Sequence, residues 1–434
     1  MQSISVCHRT ESSSLDLKEV DNINVIIEST RDDSIENVKV LKNISFHNDI
    51  LLSSDTLDYK MIKEKNRSGL IGFSSIKFIN CSFSFISIKV IDKKYIFEEC
   101  DMSNISFLQY QHSGTNRLII VGGLIGTFHI EKKQFLEKFY INKQDGKNDR
   151  ITKINTLIIK DTIFEKNFKL HNCVVDRILI EDTDFKENAD FYMSEFRRGI
   201  LEEDSKEKIN KDDIGFNAIN FESLALFGDT VFHKKLIFKY VTFKGHNHFK
   251  SAVLHKGLDL EYTNIQNEIN FYGLTILNTS TTSQETCRII KHQFEKLGNK
   301  IEANKYHALE LEQKKNTLEA ERPRKWLEYI VFKMHSLSSK HSTNWFRPLW
   351  LSLLVTIMTV FFVNIELVMD LLTQRLSFKL EYFYNVWNEF FKYLYILNKD
   401  EKLVESPFIF LLNKIFLGYL YYQFLISVRK DTRK

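Results

Sequence analysis

Residues 216–276 can be written as six consecutive blocks: FNAINF from Phe216, FGDTVF from Phe227, FKYVTF from Phe238, FKSAVL from Phe249, LEYTNI from Leu260 and FYGLTI from Phe271. Each block begins eleven residues after the one before it, and its first and sixth positions are always apolar. The fourth position is small or β-branched (Ile219, Thr230, Val241, Ala252, Thr263) until Leu274. An α-helix cannot use this pattern, because apolar residues alternately five and six apart do not share a face at about 3.6 residues per turn. Short strands that turn a corner between blocks can, each strand stacking on its equivalent one coil below. Two blocks then make one coil of 22 residues. First-position side chains form two internal ladders, one of Phe227, Phe249 and Phe271 and one of Phe216, Phe238 and Leu260, with rungs about 4.8 Å apart. An ordinary β-sandwich is the alternative, but its strands and loops vary in length, and these blocks do not slip.

The phase continues upstream with small slips: IKDTIF at Ile159, LHNCVV at Leu170, IEDTDF at Ile180 and FYMSEF at Phe191. FINCSF at Phe78 and FEECDM at Phe97 carry the same pattern at a spacing of 19. The charged stretch 197–214 reads as a solvated loop inserted between coils. The whole segment, about residues 70–277, resembles the pentapeptide-repeat proteins, in particular their divergent F-x-x-[A/T/C]-x-F variants. That resemblance implies a right-handed β-helix, an all-β solenoid of roughly 22 residues per coil. Residues 1–70 show only a weak strand pattern, as in VKVLKNISF from Val38, and are expected to form an N-terminal cap with a partly mobile end.

Downstream the periodicity changes. Thr282 with Glu285 reads as a capping box at a helix start. Ile290, Phe294, Leu297, Ile301, Ala308 and Leu311 then follow a helical face, and Gly298 is placed to end a first helix and make a hairpin. This stretch resembles the helical linker of membrane-anchored pentapeptide-repeat proteins and is similar to a single tetratricopeptide unit. The chain thus divides into a cap (1–70), a β-helix (71–277, with the insertion 197–214), a helical connector (278–344) and a membrane domain (345–434).

Within that last part, residues 349–365 carry no formal charge, and extension to 345–368 is enough to cross a hydrocarbon core of about 30 Å. A second stretch, 408–428, has one charge, Lys414, and closes on Arg429 and Lys430. Trp345, Arg347 and Trp350 at one end and Arg429 and Lys430 at the other are interfacial anchors. The alternative, a buried hairpin of a soluble domain, does not call for such flanks. Arg322, Arg324, Lys325, Lys333, Lys340 and Arg347 precede the first span, whereas 366–405 holds five basic against seven acidic residues. The basic ends are therefore expected in the cytoplasm and the acidic middle outside, in the inner (cytoplasmic) membrane of a cell. Asn364, Glu366 and Lys414 are candidate pore-lining groups, each with a plainer reading as a span end or a snorkelling side chain, and Gly418 is a helix-packing site. The aromatic stretch 382–397 is expected to lie on the membrane surface and has no TVGYG-like selectivity run.

Composition excludes more than it suggests. Among 434 residues, 60 Lys and Arg against 56 Asp and Glu leave a formal charge of +4, so a nucleic-acid partner is not expected. With 15 Gly and 3 Pro, glycine-rich phosphate loops and collagen-like segments are disfavoured. Cys7, Cys81, Cys100, Cys173 and Cys287 are scattered without a CxxC and read as reduced thiols. Residues 1–22 are polar and have no apolar targeting core. His233 and His255 should stack on one outer face near His246 and His248, with no recurring acidic or Cys partner to make a metal site. No catalytic motif, cofactor site or metal site is expected, and the chain reads as a non-enzyme. The expected function is a cytosolic β-helix that senses or binds a protein partner, joined to a two-span module. In the bilayer that module would form a homo-oligomeric pore or membrane-disrupting effector. Analogy with small two-span effectors points to bacterial self-killing or phage defence. The alternative is a membrane-anchored scaffold without pore activity.

Overall fold

A computed structural model of the chain describes residues 18–19, 38–46, 50–52, 57–59, 75–88, 94–107, 117–136, 138–142, 150–200, 212–365, 369, 379–398 and 407–432. The chain divides into two units, Met1–Thr282 and Ser283–Lys434.

The first unit is a parallel β-solenoid of about seven turns with coils of about 22 residues. Its described strands form two sheets, in which strands pair in parallel with their equivalents in the next coil, apart from one antiparallel pair, Ile50–Leu52 with Leu57–Tyr59. The expected ladder of Phe227, Phe249 and Phe271 is present, and the other holds from Phe216 to Phe238, beyond which the register shifts between Ile237 and Lys239. Phe216 pairs in register with Phe238, and Val231 with Val253. Phe227 and Phe249 stack at 4.7 Å between centroids, and Phe249 and Phe271 at 5.4 Å. Upstream, the same column continues through Phe191, which stacks on Phe227 at 4.9 Å, to Phe168 and Phe139. A second column runs through Phe135, Phe164, Phe185, Phe221 and Phe243, with neighbouring rings 5.0–5.3 Å apart. Offset stacking at this spacing suits the ring quadrupoles and leaves no room for water.

The coils need not be equal. Phe97 lies in register over Phe78, 19 residues earlier, and Phe221 over Phe185, 36 residues earlier. The insertion is shorter than 197–214 implies, since Glu195–Gly199 is a strand and Ile214–Phe221 already starts the next. What holds the coils in phase is a recurring corner. Asn80, Glu99, Gly122, Asn172, Met193, Asp229, Ser251 and Gly273 all have φ between +47° and +73°. Asn and Asp tolerate this left-handed region better than most residues. At Gly123 (φ +82°) only glycine fits, because a Cβ would lie 2.1 Å from the carbonyl oxygen of Cys100. Parallel stacking also reaches further into the N-terminal part than a start at 71, since Val38–Lys42 pairs with Ser75–Ile79. The other described strands of the expected cap are Lys18–Glu19, Ile44–Phe46, Ile50–Leu52 and Leu57–Tyr59, and most of the rest of 1–70 lies outside the described residues.

The second unit is helical: α1 (Gln284–Lys296), α2 (Lys300–Ala320), α3 (Arg322–Ser339), α4 (Phe346–Val363), α5 (Lys379–Leu394) and α6 (Pro407–Thr432). The N-cap of α1 is Ser283, whose hydroxyl accepts from the Thr286 N–H at 3.1 Å, so the capping box on Thr282 is corrected by one residue. Thr282 instead accepts from the Leu258 N–H at 3.3 Å, inside the last coil. Gly298 (φ +73°) ends α1 as expected. That turn breaks the helical phase: Ile290 and Phe294 are buried, Leu297 and Ile301 are exposed, and α2 buries Ala303, Tyr306 and Glu310 instead.

Candidate functional site

Helices α4 and α6 depart from the usual polarity of a soluble core. From 350 onward, the exposed side chains of α4 are Trp350, Leu354, Ile357, Met358, Phe361 and Phe362. Those of α6 include Phe408, Leu411, Ile415, Phe416 and Leu425. The buried face of α4 carries Ser352, Thr356 and Thr359, and that of α6 carries Asn413, Gln423 and Ser427. Ser352, Thr356, Thr359 and Ser427 each donate to a carbonyl of their own helix, three or four residues back. Asn413 Nδ2 donates across to Thr359 Oγ1 at 2.9 Å. Both helices are long and apolar enough to cross a membrane, and 28% and 22% of their most apolar windows are buried. The core hairpin of a soluble domain would be mostly buried.

Three of the sequence-derived candidates converge on the end of α5. Asn364, at the C-terminus of α4, donates to the Tyr393 hydroxyl at 2.8 Å. Lys414 Nζ donates to the Tyr395 carbonyl at 3.3 Å, and Tyr421 donates to the Leu394 carbonyl. Leu394 ends α5, where the last carbonyls have no intrahelical partner and the helix dipole is negative, and Tyr395 follows it, its carbonyl also accepting from the Asn398 N–H at 3.1 Å. Gly418 gives Ile396 room: a Cβ there would lie 3.3 Å from Ile396 Cδ1. Val360 and Tyr393 are buried at the centre, with Val363, Val386, Phe390, Ile409 and Phe410 packed around them. The segment 382–397 is thus packed between the two apolar helices on one side, while Phe383, Tyr384, Trp387 and Phe391 remain exposed. Glu366 lies outside the described residues. Trp345, Arg347, Trp350 and Arg429 are exposed near the helix ends, and Trp345 meets Phe424 at 6.4 Å. Lys430 is half-buried and makes no ion pair among the described residues.

A polar network that the sequence did not single out joins α2, α3, the α3–α4 turn and α6. His341 Nε2 donates to Glu312 Oε2 at 3.1 Å, leaving its Nδ1 to accept from His335 Nδ1 at 3.3 Å; His335 Nε2 then accepts from Ser342 at 3.0 Å. Ser336 donates to Glu312 at 3.0 Å and Ser339 to Gln423 at 2.9 Å. Burial, reinforced by His341, Lys430 and His307, pushes His335 down to about 4, so it is neutral. Burial likewise lowers His341, against the pull of Glu312. Burial would raise Glu312, but its bonds from Lys315, Ser336 and His341 outweigh this and hold it below the carboxylate range. Beside the network lies a cavity of about 490 Å³ lined by Leu311, Phe332, His335, Tyr419, Tyr422 and Lys430. The signal was present in the sequence only as scattered His and Ser residues, because the partners come from four elements.

On the solenoid, His233 and His255 stack at 4.7 Å as expected. One acidic neighbour is present, at His233 alone: Glu195 Oε1 lies 3.0 Å from His233 Nε2. Glu195 is 38 residues earlier, on the far side of the insertion, which hid the pairing from spacing arguments. No family model matches the chain, and neither a curated protein nor a solved structure matches it.

Proposed function

We propose that this chain is a membrane-anchored β-solenoid adaptor of pentapeptide-repeat type. The solenoid binds a cytosolic protein partner, and α4, α5 and α6 hold it on the inner membrane with both chain ends in the cytoplasm. The observation that carries this reading is the inverted polarity of α4 and α6, with hydroxyls and amides inward and large apolar side chains outward. Lipid is the solvent that rewards such an arrangement. The engagement of Asn364 and Lys414 within one chain favours an anchor over a lumen. No enzymatic role is part of this reading.

One observation favours the second reading, a homo-oligomeric pore or membrane-disrupting effector. Asn413 Oδ1 is buried without a hydrogen-bond partner, a cost that a neighbouring helix or water in an assembly would relieve. Overexpression with a membrane-potential dye separates the two. An adaptor leaves the potential intact, and Lys414→Leu changes nothing in the dye response. A pore depolarises the cells, and Lys414→Leu or Asn413→Leu reduces the depolarisation without loss of insertion.

A further inference from the structure

Helix α3 precedes the first span and does not run into it. Lys340, His341 and Ser342 have φ of +49°, +57° and +65°, a left-handed run that reverses the chain, and Asn344 Oδ1 then accepts from the N–H groups of Phe346 and Arg347 to begin α4. The inner face of α3 is engaged: Tyr329 is buried, Ser338 Oγ meets the Tyr419 hydroxyl at 3.1 Å, and Ser339 donates to Gln423. These contacts place the last turn of α3 beside α6 within its apolar stretch. The outer face is a different matter. Trp326, Leu327, Ile330, Val331, Met334 and Leu337 are 40–64% exposed. They fall at steps of one and three, which is a single stripe on a helix. Arg324, Lys325, Lys333 and Lys340 are exposed around that stripe.

We propose that the outer face of α3 is immersed in the headgroup region of the cytoplasmic leaflet and prefers anionic phospholipid. Charge selects this occupant. Residues 322–340 hold five basic side chains and one acidic, Glu328. Two copies packed through this face would bring like charges together, whereas an anionic leaflet neutralises them and accepts the apolar stripe at the acyl boundary. The tryptophan is the residue type that such a boundary favours. The inference rests on the membrane reading given above and adds to it a lipid-selective surface outside the spans.

The test uses the full chain with Cys7→Ser, in which the four other cysteines are buried. One environment-sensitive fluorophore is attached at Leu327→Cys, on the part of α3 furthest from the spans, and in a separate sample at Leu354→Cys on α4. Each protein is reconstituted into vesicles of phosphatidylcholine alone or phosphatidylcholine mixed with phosphatidylglycerol. The Leu327 probe should be shielded from aqueous iodide in the anionic vesicles, less so in the neutral ones, and salt should reverse the difference. Lys333→Gln and Lys340→Gln should each weaken that docking about fivefold in anionic vesicles alone. Equal exposure of the Leu327 probe in both vesicles overturns the proposal, and so does shielding that grows with protein density, which would mean a second copy. The Leu354 probe keeps the two readings apart. If it is shielded while the Leu327 probe is not, only the lipid-selective surface fails; if neither is shielded, the membrane reading fails with it.

Discussion

Phe249 shows what a single side chain does in this fold. It is fully buried and stacked between Phe227 and Phe271, so removing it opens a hole that two coils must share. Phe249→Ala should cost about 3–5 kcal/mol in urea unfolding. Tyr240→Ala, at a position 60% exposed, should stay within about 0.5 kcal/mol. Gly123 tests the corners rather than the core. Gly123→Ala forces a side chain into the left-handed region against the Cys100 backbone and should cost at least about 1–3 kcal/mol. Equal effects at Phe249 and Tyr240 would contradict the ladder. The Phe columns were legible in the sequence because their period is set by coil length, which is a local property. Glu195 beside His233 was not, because a pairing across an insertion depends on how many residues the loop absorbs.

At the level of elements, the helices divide into those that periodicity reveals and those that it hides. The stretches 349–365, without a formal charge, and 408–428, with Lys414 alone, were visible as apolar runs; α4 (Phe346–Val363) covers most of the first and α6 (Pro407–Thr432) the second. The face of α2 was misplaced because Gly298 resets the phase. Polar networks are harder still to read, since hydrogen bonds from four elements leave no spacing behind. The network around His335 makes a pH prediction for the helical unit. His335 is held down to about 4 from its ordinary 6.5, so the unfolded chain binds its proton first as the pH falls. The stabilisation is complete above 6.5 and is lost between about 6.5 and 4. His341 and His307 are lowered as well and act in the same direction. Glu312 and Glu310, both lowered from 4.5, add a further loss as the pH drops below that value. Hydrogen exchange of α2 and α3 amides should therefore quicken, beyond its intrinsic pH dependence, as the pH is lowered through this window. His335→Gln, which cannot titrate, should flatten the upper part of that change. A helical unit whose protection is unchanged between 6.5 and 4 would contradict the assignment.

At the scale of the molecule, the solenoid and the helical unit solve opposite problems. One buries ladders of aromatic rings, and in the other α4 and α6 turn hydroxyls and amides inward and large apolar side chains outward. The proposed arrangement puts the solenoid in the cytoplasm and α4 and α6 across the membrane. The most direct measurement is cysteine accessibility in intact cells, with a membrane-impermeant maleimide and single sites at Asn398→Cys, after α5, and Arg433→Cys, after α6. Labelling of the Asn398 site from outside, with the Arg433 site reached only after permeabilisation, is the result expected. Labelling of the Arg433 site from outside intact cells, or recovery of the protein in the soluble fraction, would contradict it.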